Sequence, residues 1–223
     1  MKNLILISIV FVFCTSSCKR YYRISDFKQV AQEHEKVAIL PFEIYTSGHV
    51  PENITPEMVE EIEQKESTTF QSNFFKTVLS SYRRGRKPLP VSFQHYSQTN
   101  SLLKENGLSL KDTWNMDPEK LAKILGVDAV LKARVEKEQY FSDGLSAGID
   151  ITKNVISIFS DSNPIRNIPN TNKEVVSDYS LVSKDGTVLW AIGYRNTTNW
   201  QGRTDQLVSD INRKSTKHFP YRK

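Results

Sequence analysis

The segment VDAVLKARVEKEQYF, residues 127–141, constrains the fold most strongly because apolar and polar side chains alternate along it. Alternation with a period of two is typical of a half-buried β-strand. One face is apolar and the other is charged: Val127, Ala129, Leu131, Ala133 and Val135 against Asp128, Lys132, Arg134 and Glu136. A strand that is buried on one side and exposed to solvent on the other predicts a sheet that helices cover mainly on one face.

Further strands and helices are predicted on both sides of this segment. Val37 to Leu40 form an apolar run that Pro41 stops, which predicts a buried strand. Asp185-Gly186 separates two strand-like runs and predicts a β-hairpin turn. Helical spacing and end signals predict helices over residues 26–34, 56–82, 97–107, 118–125 and 203–219. These elements place the chain in the α/β (α+β) class, with a mixed sheet.

The longest predicted helix opens at Thr55-Pro56, a capping residue followed by proline at the first helical position. Its apolar side chains recur at near-helical spacing from Met58 to Tyr82, and only Glu66 breaks the stripe. A stripe of this kind is typical of a helix that faces a core. The short helix near the N-terminus is predicted to begin at an N-cap, Ser25.

The N-terminal residues, MKNLILISIVFVFCTSSCKR, have the order of a secretory signal peptide over residues 1–17. The apolar run from Leu4 to Phe13 is too short to cross a bilayer as a helix, which needs roughly 20 apolar residues. Thr15-Ser16-Ser17-Cys18 resembles a bacterial lipobox, with threonine where leucine is usual. The resemblance implies a diacylglycerol and an N-acyl chain on Cys18; the alternative is ordinary cleavage that leaves a free thiol.

No disulfide is expected in the mature chain, because Cys14 would leave with the signal peptide. The predicted organisation is a lipidated tether and short helix over residues 18–35, then one α/β domain over 36–223 with an insertion at about 141–172. The formal net charge is +5. Outside the cytoplasm this charge favours anionic lipid headgroups over nucleic acid as a partner. Lys19 after the cysteine favours the outer membrane of the cell envelope.

Three segments in this order, KVAILPFE, PEKLAKILGVDAVLKARV and YSLVSKDGTVLWA, resemble a group of bacterial lipoproteins with the fold of the TolB amino-terminal domain. The group includes the curli secretion channel and lipoprotein activators of penicillin-binding proteins. The terminal HFPYRK is also similar to the closing residues of uncharacterised members. The resemblance implies helices packed on a mixed sheet and no catalytic residues.

The insertion contains Gly144-Leu-Ser146-Ala-Gly148, which matches the G-x-S-x-G nucleophile elbow of serine hydrolases. A triad in the required chain order would join Ser146 to Asp178 or Asp185 and then to His218. However, no glycine-rich oxyanion loop precedes the serine, and His218 lies among the last residues of the chain. We therefore predict no catalytic residues, with hydrolysis at Ser146 as a remote alternative. The four histidines are scattered without metal-ligand spacing, so no metal site is predicted either.

Apolar residues at odd positions of the insertion, with small polar residues between them, give the alternation of a weak transmembrane β-strand. The alternatives are a pore hairpin and a peripheral insertion that binds a partner. Two prolines in the second half make a poor returning strand, which favours the peripheral insertion. The predicted partner or membrane contacts are Phe141, Leu145, Ile149, Ile151, Trp114 and Trp200, whereas Trp190 is predicted to lie in the core.

The leading hypothesis is a non-enzymatic, lipid-anchored lipoprotein that binds protein partners in envelope assembly or trafficking. The alternative is a subunit of an oligomeric outer-membrane secretion channel of the curli type. Apart from the lipid on Cys18, no cofactor is expected.

Overall fold

Seven strands form one mixed sheet in a computed structural model that describes residues 20–48, 55–84, 91–140, 171–196 and 204–221. The strands are β1 Arg20–Arg23, β2 Lys36–Ile39, β3 Glu43–Ser47, β4 Ser92–Phe93, β5 Ala129–Tyr140, β6 Thr171–Ser183 and β7 Val188–Asn196. Within the described ranges the helices are α1 Phe27–Gln32, α2 Pro56–Arg84, α3 Tyr96–Glu105, α4 Leu110–Asn115, α5 Pro118–Leu125 and α6 Thr204–Thr216. The predicted α+β class and mixed sheet are confirmed.

The strand order is β1-β7-β6-β5-β2-β4, and β3 pairs with β5. β1, β7, β6 and β5 pair antiparallel to one another, whereas β2 and β3 pair parallel to β5 and β4 pairs parallel to β2. β2 and β3 lie end to end beside β5, since Ile39 pairs with Leu131 and Glu43 pairs with Arg134. The break between them contains Pro41, which has no backbone N–H to donate to a ladder.

The larger core lies on the inner face of the sheet, which is the face that carries Ala129, Leu131 and Val135 of β5. Helices α1, α2 and α6 cover it. Aromatic rings fill its centre, where Phe42 lies 5.7 Å from Tyr179 and Phe74 lies 5.4 Å from Tyr179, measured between ring centroids. Trp190 is fully buried here, as the sequence predicts.

A smaller core covers only one end of the outer face, which is the opposite face of the sheet. Leucines of α3 and α5 pack there on Leu40, Val130 and Val182: Leu103, Leu121 and Leu125. Beyond these helices and α4, which lies beside Lys132 of β5, the outer face carries no helix within the described residues. This unequal coverage agrees with a sheet that helices cover mainly on one face.

One buried ion pair joins the inner face of the sheet to α2. The Lys137 ammonium donates to the Glu66 carboxylate, and their side chains are 3% and 4% exposed. Glu66 is the residue that breaks the apolar stripe of α2, and Lys137 is the charged residue on the apolar face of β5. The two departures from the sequence pattern therefore neutralise each other inside the core.

A second polar contact joins three segments of the chain at the other end of the sheet. The Asp128 carboxylate accepts hydrogen bonds from the backbone N–H groups of Glu35 and Lys36 at 2.9 and 3.1 Å, and from the Lys184 ammonium at 2.8 Å. Partial burial opposes ionisation of Asp128, but these donors outweigh burial and lower its pKa to about 2. One side chain thus connects the beginning of β2, the beginning of β5 and the β6–β7 turn.

The local end signals behave largely as predicted. Gly126 has a φ of 62° and ends α5, and Gly186 has a φ of 85° in the β6–β7 turn. α2 begins at Pro56, as expected. The N-cap of α1 is Asp26 rather than the predicted Ser25, so that assignment is wrong by one residue. β1, β3 and α4 are additional elements that the sequence patterns do not indicate.

Among the described residues, none of the helices has the length and apolar character required to cross a bilayer.

We expect Glu66→Gln to lower the free energy of unfolding by about 3 to 5 kcal/mol, because it leaves the Lys137 ammonium buried without its carboxylate. Chemical denaturation measures this loss. The double variant Glu66→Leu/Lys137→Met, which removes both charges, should recover most of it. A single variant as stable as the parent would contradict a buried pair at this position.

Asp128→Asn should lower the free energy of unfolding by about 1 to 2 kcal/mol at pH 7. The folded pKa of about 2 lies below the ordinary value of 3.8, so the carboxylate stabilises the fold above that value. This stabilisation is lost as the pH falls towards 2, and the two proteins should then converge. Denaturation curves across this pH range test the expectation. Glu119→Gln, which removes an exposed ion pair with Lys123, is the control and should leave the free energy of unfolding nearly unchanged at pH 7.

Candidate binding groove on the outer face of the sheet

The uncovered part of the outer face forms a groove between β5 and β1. The pairing registers give two rows across it. Lys132, Ser180, Ala191 and Tyr22 form one row. The next row contains Arg134, Asp178, Gly193 and Arg20. We call this surface the outer-face groove.

The floor of the outer-face groove is low because its central strands carry small side chains there. Ser180 lies on β6, and Ala191 and Gly193 lie on β7. Since β5 and β1 are three strand spacings apart, the walls are separated by about 14 Å at the backbone. The groove has a volume of about 820 Å³. Its width suits an extended peptide segment lying along the strands.

One wall is formed by α4 and the long side chains of β5. Lys132 connects them, because its ammonium donates to the carbonyl oxygens of Trp114 at 2.8 Å and Met116 at 3.2 Å. Burial is the largest influence on Lys132 and lowers its pKa, although Glu43 and Asp117 oppose this effect. A cation at the C-terminal end of α4 also complements the partial negative charge of the free carbonyl groups there.

Charges of both signs surround the groove. Arg134 donates to Glu43 at 3.2 Å, and its guanidinium lies 5.7 Å from the centroid of the Tyr45 ring. Asp178 is exposed and forms no ion pair with another described residue. A surface with guanidinium, ammonium and carboxylate groups is suited to a polar protein segment rather than to a polyanion, which a uniformly basic surface would attract.

The opposite wall belongs to β1, the first strand of the sheet. Tyr22 shares the outer-face row with Ala191 and is 51% exposed, whereas Tyr21, which is 50% exposed at the margin of the groove, pairs with Ile192 of the inner face. Tyr21 also contacts His218 beyond the end of α6, with 6.5 Å between ring centroids. Exposed aromatic side chains next to a groove are common in protein-binding surfaces. The sequence predicted only a tether here, so the contribution of Tyr22 to the groove emerges from strand pairing.

Of the predicted contact residues, only Trp114 lies within the described residues. It is half-buried and lines the outer-face groove, and its Nε1 has no hydrogen-bond partner among them. The remaining predicted contacts and the lipidation site lie outside the described ranges: Cys18, Phe141, Leu145, Ile149, Ile151 and Trp200. Most of the predicted insertion lies outside the described residues, but Tyr140 of β5, which precedes it, pairs with Thr171 of β6. The insertion therefore connects two adjacent antiparallel strands.

The described residues do not form the catalytic triad that the hydrolase alternative requires. Ser146 lies outside them. Asp178 lies in the groove, whereas Asp185 accepts from the Thr187 backbone N–H in the β6–β7 turn, at the other end of β6 from the insertion. Within the described ranges, no cluster of side chains is able to hold a metal ion.

No protein-family model matches the sequence, and no curated protein sequence matches it. Solved structures similar to this chain include a lipoprotein, GNA1162, from Neisseria meningitidis, with 16% identity, a TM-score of 0.44 and coverage of 82% of this chain and 96% of that one. The PelC dodecamer from Paraburkholderia phytofirmans has 14% identity, a TM-score of 0.41 and coverage of 88% and 92%. The LpoB C-terminal domain from Salmonella enterica has 11% identity, a TM-score of 0.35 and coverage of 74% and 83%.

Similarities at this level do not identify a function, and the TolB-like fold stays a prediction.

Proposed function

We propose that this chain is a lipid-anchored protein of the bacterial cell envelope, held in the outer membrane through Cys18, that binds a protein partner in the outer-face groove. In this proposal the chain has no catalytic activity. The partner segment lies extended along β6 and β7, between the side chains of β5 and those of β1. Binding of this kind serves envelope assembly or trafficking.

The observation that carries the proposal is the position of β1. This strand begins at Arg20, two residues after the predicted lipidation site, and Tyr22 of the same strand lines the groove. An extended chain advances at most about 3.6 Å per residue, so Cys18 lies within about 7 Å of the sheet. The proposed anchor and the proposed binding site are therefore adjacent.

The side chains of the groove support a protein segment as the ligand. Ser180, Ala191 and Gly193 leave space for a backbone to approach the sheet closely. The Lys132 ammonium and the Asp178 carboxylate offer opposite charges within the same groove. Such charges fix the orientation and register of a partner more than they add affinity.

Replacement of Cys18 by alanine tests the anchor. The variant should leave the membrane fraction on alkaline carbonate extraction, whereas the parent should stay in the pellet, because two or more acyl chains hold a protein stably in a bilayer. Cys14→Ala, which changes only the predicted signal peptide, is the matched control and should stay anchored. A Cys18→Ala protein that resists extraction would contradict a purely lipid-anchored domain and favour the secretion-channel alternative.

Photo-crosslinking tests the groove. With benzoylphenylalanine at Ser180 in living cells, we expect a defined adduct whose yield falls about tenfold when Ala191→Trp fills the groove, as for the loss of a central binding contact. Val188→Trp is the control, since it adds the same ring on β7 at an exposed position that does not line the groove. Equal yields in the two tryptophan variants would contradict binding in the groove.

A further inference from the structure

The short tether before β1 restricts how the sheet can be oriented against the membrane. If Cys18 carries the lipid, as the proposed function requires, then Arg20 lies within about 7 Å of the anchored residue. The bilayer surface must therefore approach this part of the fold closely. Two orientations satisfy this distance: the bilayer lies across the ends of the strands, or it lies along the edge strand.

The first orientation conflicts with the length of β5 and β6. Arg20 aligns with Arg134 of β5 through Gly193 and Asp178. From that row β5 continues six residues to Tyr140, which at about 3.3 Å per residue extends it by about 20 Å. This continuation of β5 and its partner β6 forms a projecting arm. If the bilayer lay across the strand ends, within about 7 Å of Arg20, the arm would lie inside the bilayer.

The side chains of that arm are unsuited to hydrocarbon and to anionic headgroups. Glu136 and Glu138 lie on its outer face and are half-buried, and Glu43 of β3 lies beside Arg134. Ionised carboxylates are costly to transfer into a bilayer, and they repel an anionic surface. The second orientation, with the strands running along the membrane, avoids both penalties.

The edge itself has the charge that an anionic surface would attract. Arg23 is exposed on β1, and Lys214 and Lys217 are exposed at the end of α6. Two contacts hold that end of α6 beside β1 and β7. Tyr21 packs on His218, and the Tyr194 hydroxyl donates to the Lys214 carbonyl oxygen at 2.9 Å. The nearest carboxylate on α6, Asp210, already pairs with Arg213 at 2.9 Å.

We infer that the β1 edge, defined by Tyr21, Tyr22, Arg23, Lys214 and Lys217, rests on the phosphate groups of anionic phospholipids. The two exposed tyrosines lie at the depth where aromatic side chains favour the bilayer interface. The sheet then stands on its edge, and the outer-face groove opens sideways, parallel to the membrane. A partner bound in the groove would lie along the membrane surface.

Fluorescence quenching tests the orientation in the acylated full-length mature protein. The acylated Cys18 cannot be labelled, so a cysteine introduced by Lys217→Cys or Lys104→Cys carries the only fluorophore. Lys104 is exposed on α3, which packs near the opposite edge of the sheet. In vesicles of phosphatidylcholine and phosphatidylglycerol with a headgroup spin label, we expect quenching at 217 several-fold stronger than at 104. Equal quenching at both positions would overturn the inference.

Charge dependence is measured with the unacylated Cys18→Ala chain, lacking residues 1–17, on the same vesicles without the spin label. Each basic residue near an anionic surface strengthens binding by about fivefold, so Arg23→Gln/Lys214→Gln/Lys217→Gln should weaken partitioning by about a hundredfold. Lys104→Gln/Lys111→Gln/Lys120→Gln removes the same net charge at exposed positions away from the β1 edge and should weaken it much less. Equal losses in the two triple variants would contradict a specific edge.

The two proposals fail in different ways. If the acylated parent does not float with the vesicles, the lipid-anchored function is wrong. If it floats but the fluorophores or the triple variants do not differ, the anchor stands and only the orientation is wrong.

Discussion

The antiparallel pairing of β5 with β6 is the constraint on which the rest of this structure depends. It extends from Ala129 opposite Ser183 to Tyr140 opposite Thr171. Because side chains alternate between the two faces, the register from Ala129 to Glu138, which continues up to a bulge between Glu138 and Gln139, assigns the paired residues of both strands to the inner or the outer face. It places Leu131 and Tyr179 in the larger core and Asp178 and Ser180 in the outer-face groove, and it pairs Tyr140 with Thr171.

Two polar contacts of this fold occupy positions where apolar side chains could pack without losing hydration. Glu66 and Lys137 lose hydration in the core, so their attraction must offset a large desolvation cost. Asp128 is only partly buried, and three hydrogen-bond donors hold it ionised. The buried pair fixes α2 against the sheet, and the Asp128 carboxylate fixes β2 and the β6–β7 turn at the other end. Both contacts therefore favour one alignment of the elements over others that would bury similar apolar area.

A single short strand connects the proposed anchor, the proposed binding site and the inferred membrane contact. β1 contains only four residues, yet it pairs with β7, contributes Tyr22 to the groove and places Arg23 on the sheet edge. A flexible linker of the same length would leave the domain free to rotate above the bilayer. Pairing along the strand removes that freedom, so the direction in which the groove opens becomes a property of the fold.

The sequence by itself determined the features that depend on neighbouring residues. The alternation from Ala129 to Val135, the left-handed glycines Gly126 and Gly186 and the start of α2 at Pro56 are local effects of side-chain period and backbone conformation, and all of them are found in the structure. Val127, which the alternation assigned to the same face as Ala129, precedes β5 and packs in the smaller core instead. Tertiary structure alone decided that RYYR forms a strand, that Glu66 meets Lys137 and that Trp114 and Tyr22 face one groove. These features join residues far apart in the chain, and the register that brings them together is set by burial across the whole sheet rather than by any local pattern.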